Sequence, residues 1–261
     1  MIYRRTVLIK RALLLLTIFA MLNGPLLSAV SAAPLHSAWS MLLEKYVKDG
    51  GVDYVGFKKD EASLDEYLAF LDAADPLKLS TDEQLALYIN AYNSYTVKLI
   101  LDHFEDGQPV SSIKKIGGFF TGPWKIKFCR VGGEVYSLDN IEHDIIRPLF
   151  KEPRIHFAVN CASKSCPPLI SEAYEADILE LQLNANTIAF VNNAKFNYVE
   201  GSNLYISKIF TWFAEDFDND PLGFIAQYAK SDFKESLAKL GSSVNLNYLD
   251  YDWSLNSRAA L

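Results

Sequence analysis

The stretch STDEQLALYINAYNSYTVKLIL, residues 80–101, organises the reading of this chain. Ser80 followed three residues later by Glu83 is a capping box, in which each side chain satisfies a backbone N–H that the first helical turn leaves free. Leu85, Tyr88, Ile89, Tyr92, Thr96 and Leu99 then recur at three- and four-residue steps, which predicts a helix over about 81–101 with one buried stripe. Two amides, Asn90 and Asn93, interrupt the apolar run three residues apart and are therefore neighbours on the helix surface. Amides so placed either tie loops from inside the fold or serve a site.

Working outward toward the N-terminus, Leu35, Trp39, Leu42, Leu43 and Tyr46 predict a helix that Gly50-Gly51 stops. A short helix at about 61–72 carries Leu64, Leu68 and Leu71 on one face and is followed by Pro76. On the other side, residues 103–123 read as loop. Trp124 to Val131 and Glu134 to Tyr136 flank Gly132-Gly133 as a hairpin. Ser137 caps a short helix that carries Leu138, Ile141 and Ile145 inward and ends before Pro148. Arg154 to Asn160 alternates like a strand, with Ile155, Phe157 and Val159 on one face and His156, Ala158 and Asn160 on the other. A loop, Cys161 to Ile170, leads to a helix at about 174–192. A second hairpin (196–199 with 204–207), short helices near 208–215, 221–229 and 232–240, and a strand over 244–251 complete the chain. Helices and hairpins mix without a regular strand–helix–strand rhythm. The expected class is α+β: a single globular domain of mixed helices and β-hairpins packed on a small, mainly antiparallel sheet.

Residues 1–33 read as a signal peptide and 34–261 as the mature domain. Arg4, Arg5, Lys10 and Arg11 precede the apolar run Ala12 to Leu22; Asn23-Gly24-Pro25 breaks it, and small residues offer cleavage points up to Ala33. A spanning helix needs about 20 unbroken apolar residues, and Pro25 interrupts the only long window. A periplasmic or secreted location is therefore expected, with no stable membrane insertion after cleavage. The mature chain would carry 21 basic against 32 acidic residues, a formal charge of −11. Such a surface repels phosphate backbones and argues against a nucleic-acid partner. No Gly-rich phosphate loop, His-Glu-x-x-His helix or Gly-x-Ser-x-Gly elbow is present, so no cofactor is expected.

Gln84 to Asn93, Ile141-Glu142-His143, and Arg154 to Cys161 running on through Ser165-Cys166-Pro167-Pro168-Leu169 together resemble the domain-of-unknown-function 547 family. Trp212 with Asp216-Phe217, and Tyr251 to Asn256, fit the same pattern, so that the resemblance runs over about residues 38–256. It implies domain limits and no reaction.

Chemistry is concentrated around Asn160 to Pro168. Cys161 is the candidate nucleophile of a cysteine-dependent hydrolase or acyl transferase, working on peptide or amide bonds at the cell envelope. His156 is a less apt base than His143: an extended strand would place it roughly 16 Å from Cys161, at about 3.3 Å per residue. His143 shares a polar helix face with Asn140 and Arg147. Asn90, Asn93 and Asn160 are candidate orienters or oxyanion donors, and Glu142 with Arg147 reads as an ordinary ion pair or as solvated charges. The other reading is a binding domain for a small molecule, peptide or envelope protein, with Cys161 and Cys166 joined as a disulfide and Cys129 a buried hydrophobe. A mixed metal site of Cys161, Cys166 and His143 or His156 has the wrong spacing for a zinc ribbon, and no metal is expected.

Overall fold

The computed structural model describes residues 35–118, 121–241 and 244–258. The expected signal peptide and the expected start at Pro34 lie outside the described residues. The chain alternates helices with short hairpins, as the sequence pattern requires of an α+β fold. Its central element is the helix α4 (Thr81–Leu101), preceded by α1 (Ser37–Tyr46), the ribbon β1–β2 (Val47–Lys48 with Gly51–Val52), α2 (Tyr54–Lys59) and α3 (Glu61–Ala73). The Ser80–Glu83 capping box forms in full. Sixteen of the 21 residues of α4 are buried, so the helix is enclosed on most sides rather than along one stripe.

After α4 come the hairpin β3–β4 (Cys129–Val131 with Glu134–Tyr136), a π-helical segment (Asn140–Ile146) continuous with α5 (Arg147–Phe150), and α6 (Leu179–Val191). Gly132 and Gly133 both adopt positive φ, as the tight hairpin turn demands, and a Cβ on Gly132 would meet Pro76 at 2.9 Å. The C-terminal third holds β5 (Tyr198–Glu200), β6 (Asn203–Ile206), α7 (Ile209–Trp212), α8 (Pro221–Tyr228), α9 (Ser231–Leu240) and β7 (Asn245–Tyr248). Strands β5 and β6 pair antiparallel and β7 adds in parallel to β6, so the described strands form three small sheets rather than one.

Three expectations fail here for identifiable reasons. Pro153 to Phe157 forms a 3₁₀ turn, not a strand. Pro153 supplies a helical φ at its start, the Glu152 carboxylate accepts from the Arg154 N–H, and Ile155, His156 and Phe157 are all buried, so the alternation was not a two-faced strand. The helix expected from 174 begins at Leu179, because Asn90 engages both the N–H and the carbonyl of Tyr174 and a 3₁₀ turn, Ala176–Ile178, intervenes. The short helix after Ser137 passes through Pro148 instead of ending before it, since a π turn immediately upstream frees the position of the missing N–H.

Two hydrophobic clusters result. One surrounds α4 and includes Trp39, Phe57, Leu64, Leu87, Ile155, Ala158 and Val159. The other gathers Phe157, Phe190, Phe210, Phe217 and Phe224. The segment 153–160 contributes to both, so it is the seam between them, and the polar residues of interest hang from that seam.

Candidate active site

Cys161 follows the seam directly. Ala162 sits at φ 59°, a left-handed conformation uncommon for a residue with a Cβ, and turns the chain sharply after the thiol. The turn is fixed on both sides. The Ala162 N–H donates to Asn160 Oδ1 (2.9 Å), and the Asn256 N–H donates to the Ala162 carbonyl (3.1 Å). Lys164 N–H to Ser254 O (2.9 Å) and an antiparallel bridge between Ser163 and Leu255 continue this pairing of the C-terminal segment with the cysteine loop. That pairing lays Tyr251 against Cys161: its hydroxyl and that of Ser163 each lie 3.3 Å from Cys161 Sγ.

Cys129, Cys161 and Cys166 are all free thiols. Cys166 Sγ accepts from the Cys161 N–H at 3.0 Å. Hydrogen bonding from Cys166, and then from Ser163 and Tyr251, draws the Cys161 thiol below its ordinary pKa although burial opposes ionisation. Burial drives Cys166 and Cys129 upward, so Cys161 is the thiol that ionises.

Cys161 opens on a cleft of about 170 Å³ that it shares with Tyr92, Glu142, His143 and His156, beneath a wall of Trp212, Tyr251 and Trp253. The wall rings pack 4.6–5.8 Å apart, and Trp212 keeps 46% of its surface in solvent.

The two imidazoles of the cleft differ. His156 is 2% exposed and stacks on Phe213 with ring centres 3.9 Å apart. Its Nε2 lies 2.6 Å from Asp216 Oδ2, and Arg147 grips the same carboxylate through Nε (2.6 Å) and Nη2 (3.1 Å). Burial works against ionisation of Asp216, but the bonds from His156 and Arg147 hold it well below the usual carboxylate range. An ionised Asp216 only accepts, so His156 donates from Nε2 and keeps its lone pair on Nδ1. That Nδ1 is buried and has no hydrogen-bond partner among the described residues; Glu142 Oε1 is 3.9 Å away. Burial lowers the His156 pKa, so the resting ring is neutral. His143, by contrast, is exposed, and its Nδ1 lies 3.1 Å from Arg147 Nη1. A guanidinium only donates, so the His143 lone pair is already engaged and Nε2 carries the proton. Partial desolvation where the ring meets the cleft, and then the Arg147 charge, lower its pKa.

Glu142 departs furthest from the sequence reading. It is neither solvated nor the main partner of Arg147, which goes to Asp216. The π turn explains this: the Arg147 N–H bonds Glu142 O, five residues back, and the wider turn puts Glu142 inside while leaving His143 out. Burial, with the neighbouring Cys161 charge, pushes the Glu142 carboxyl up to about 7, against the pull of a hydrogen bond with Tyr92.

The asparagines are spent elsewhere. Asn90 donates to Tyr174 O (2.8 Å) and accepts from Tyr174 N–H (3.0 Å). Asn93 donates to Ala158 O (2.9 Å) and accepts from Asn160 N–H (2.8 Å). Asn160 donates to Pro167 O (2.7 Å) and accepts from Ala162 and Asn256. All three hold backbone in place, and none lines the cleft. Among the described residues no three His, Cys, Asp or Glu side chains form a metal-ligating group.

A family model described as "Protein of unknown function, DUF547" matches residues 76–191. The chain carries a DUF547 domain. No curated protein and no solved structure matches it. The matched region contains the α4 amides, Glu142, His143, His156, Cys161 and Cys166, while Tyr251, which lines the cleft, and Asp216, which holds His156 from behind it, come from beyond the match. Those two went unassigned in the sequence. Asp216 stands 60 residues from His156 and Tyr251 stands 90 from Cys161, and nothing local to either signals the pairing. Their place among the quoted family-like motifs was the only hint.

Proposed function

We propose that this protein is an exported cysteine-dependent hydrolase or acyl transferase, with Cys161 as nucleophile and His156, backed by Asp216, as its base. One observation carries the reading: a thiol drawn below its ordinary pKa shares a small cleft with a carboxylate-held imidazole whose free Nδ1 has no other partner. Such a set is what nucleophilic acyl transfer requires. His143, whose lone pair is engaged by Arg147, gives up the base role and stands as a hydrogen-bond donor at the rim.

The reaction runs on an acyl compound R–CO–X. The Cys161 proton passes to His156 Nδ1, sulfur bonds to the carbonyl carbon, the C–X bond breaks, and the imidazolium returns its proton to X. Water or another acceptor then cleaves the thioester. Export rests on the basic start, apolar run and small-residue cleavage region of residues 1–33. The test uses p-nitrophenyl acetate: a burst of p-nitrophenolate of one equivalent per chain, an acetyl group mapped to Cys161, and loss of both in Cys161→Ala. Turnover undiminished in Cys161→Ala would refute the assignment.

A further inference from the structure

Glu142 is a buried carboxyl inside the cleft that the scheme above leaves without a task. Every element packed around it contributes a titratable or charged group. Tyr92 faces it from α4, Cys161 from the nucleophile loop, and His156 from the 3₁₀ turn; Asp139 and Arg147 flank it along its own helical segment. Among the described residues no Lys or Arg pairs with it directly, since Arg147 is committed to Asp216 and His143. A carboxyl kept dry without a salt-bridge partner costs stability, and such groups are kept where proton transfer is needed.

We propose that Glu142 is a second acid–base residue of this site, taking the proton of the acceptor that cleaves the acyl-enzyme. The inference rests on the acyl-enzyme chemistry proposed above and assigns its second half. Two negative charges are unfavourable in one dry cleft of about 170 Å³, so Cys161 and Glu142 share a single one: thiol with carboxylate, or thiolate with carboxylic acid. Acylation replaces the ionisable sulfur by a neutral thioester. The repulsion ends, and Glu142 stands as carboxylate beside the carbonyl that the acceptor must attack. The acceptor H–Y gives its proton to Glu142 as Y bonds to the acyl carbon, and the C–S bond breaks with its electron pair on sulfur. The site then holds thiolate and carboxylic acid, which is one of its two resting forms. Glu142 is thus ionised, and free to take a proton, while the acyl group is present.

Burst kinetics with p-nitrophenyl acetate separate the halves. In Glu142→Gln the burst persists, steady-state turnover falls about a hundredfold, the lower end of general-base effects, and acetyl-Cys161 accumulates by intact mass. Glu142→Asp recovers part of the turnover. Where Glu142→Gln fails to fold, the wild-type pH profile decides: the steady-state rate should rise with an ionisation that the burst does not show. A Glu142→Gln protein with undiminished turnover, equal losses of burst and turnover, or identical pH profiles for the two phases would overturn the role of Glu142 alone. Absence of any burst or Cys161 adduct in the wild type would overturn the cysteine reading beneath it.

Discussion

Two sets of buried polar side chains lie within a few turns of each other, and they are used in opposite ways. On α4, Asn90 and Asn93 each make two hydrogen bonds to backbone that has no other partner, and every donor and acceptor involved is satisfied. Across the seam, the cleft leaves capacity unspent: His156 Nδ1 is unpartnered, Glu142 holds a carboxyl without a cation, and Cys161 is a thiol pulled toward its anion. Saturated amides build architecture. Unsaturated, proton-exchanging groups gathered in one concavity are the mark of a site that waits for a ligand. The difference also separates cost from use, since the amides should dominate stability and the cleft should dominate reactivity.

The sharpest way to break that contrast is Asn93→Leu. It orphans the Ala158 carbonyl and the Asn160 N–H, both buried, at about 1–3 kcal/mol for each group. Urea titration should register a loss of about 2–6 kcal/mol, and Asn90→Leu a similar one through Tyr174. A change near zero for either would show that the amides are dispensable and the comparison misplaced.

Glu142→Gln addresses the other side through pH. The folded Glu142 is pushed above its ordinary value to about 7, so the folded state binds a proton that the unfolded chain releases earlier. Its stabilising contribution is therefore full below the unfolded carboxyl range and is lost as pH rises through about 7. Glutamine does not titrate. The stability difference should shift in favour of Glu142→Gln by about 3 kcal/mol between pH 4 and pH 8. A difference independent of pH would show Glu142 to be hydrated.

Smaller effects sharpen the contrast. Cys161→Ala should cost only about 1 kcal/mol in urea, because Ser163 and Tyr251 retain their own bond at 3.1 Å, yet it should abolish the acetyl burst. His143→Ala should change the acylation rate by less than about twofold, since its lone pair already serves Arg147 and not the thiol.

What the sequence disclosed follows from how local each cause is. The α4 capping box and the helix pattern of residues 61–72 are set within a few residues and form where expected; the Gly132-Gly133 hairpin also forms, but its first strand is Cys129–Val131 and not Trp124 to Val131, because Pro123–Lys125 makes a 3₁₀ turn. The cleft is set by contacts remote in sequence and by a π turn that no hydrophobic period announces. Alternation over 154–160 imitated a strand because all three of Ile155, His156 and Phe157 are buried in a tight turn, and the imitation carried His156 away from Cys161 on paper. The pairing proposed here of Cys161 with His156 was not legible in the sequence, because what distinguishes His156 from His143 is which ring nitrogen Asp216 or Arg147 engages.

The central claim, a Cys161 activated by the Asp216-held His156, is tested most directly by timed iodoacetamide labelling across pH with peptide mapping. The account predicts fast alkylation of Cys161 at pH 6–7, below the free-thiol pKa of about 8.5. Alkylation should slow sharply in His156→Ala and in Asp216→Asn and stay nearly unchanged in His143→Ala. A Cys161–Cys166 crosslink in non-reduced protein with no fast-reacting thiol after gentle reduction, or labelling that follows an ordinary thiol in wild type and variants alike, would contradict it.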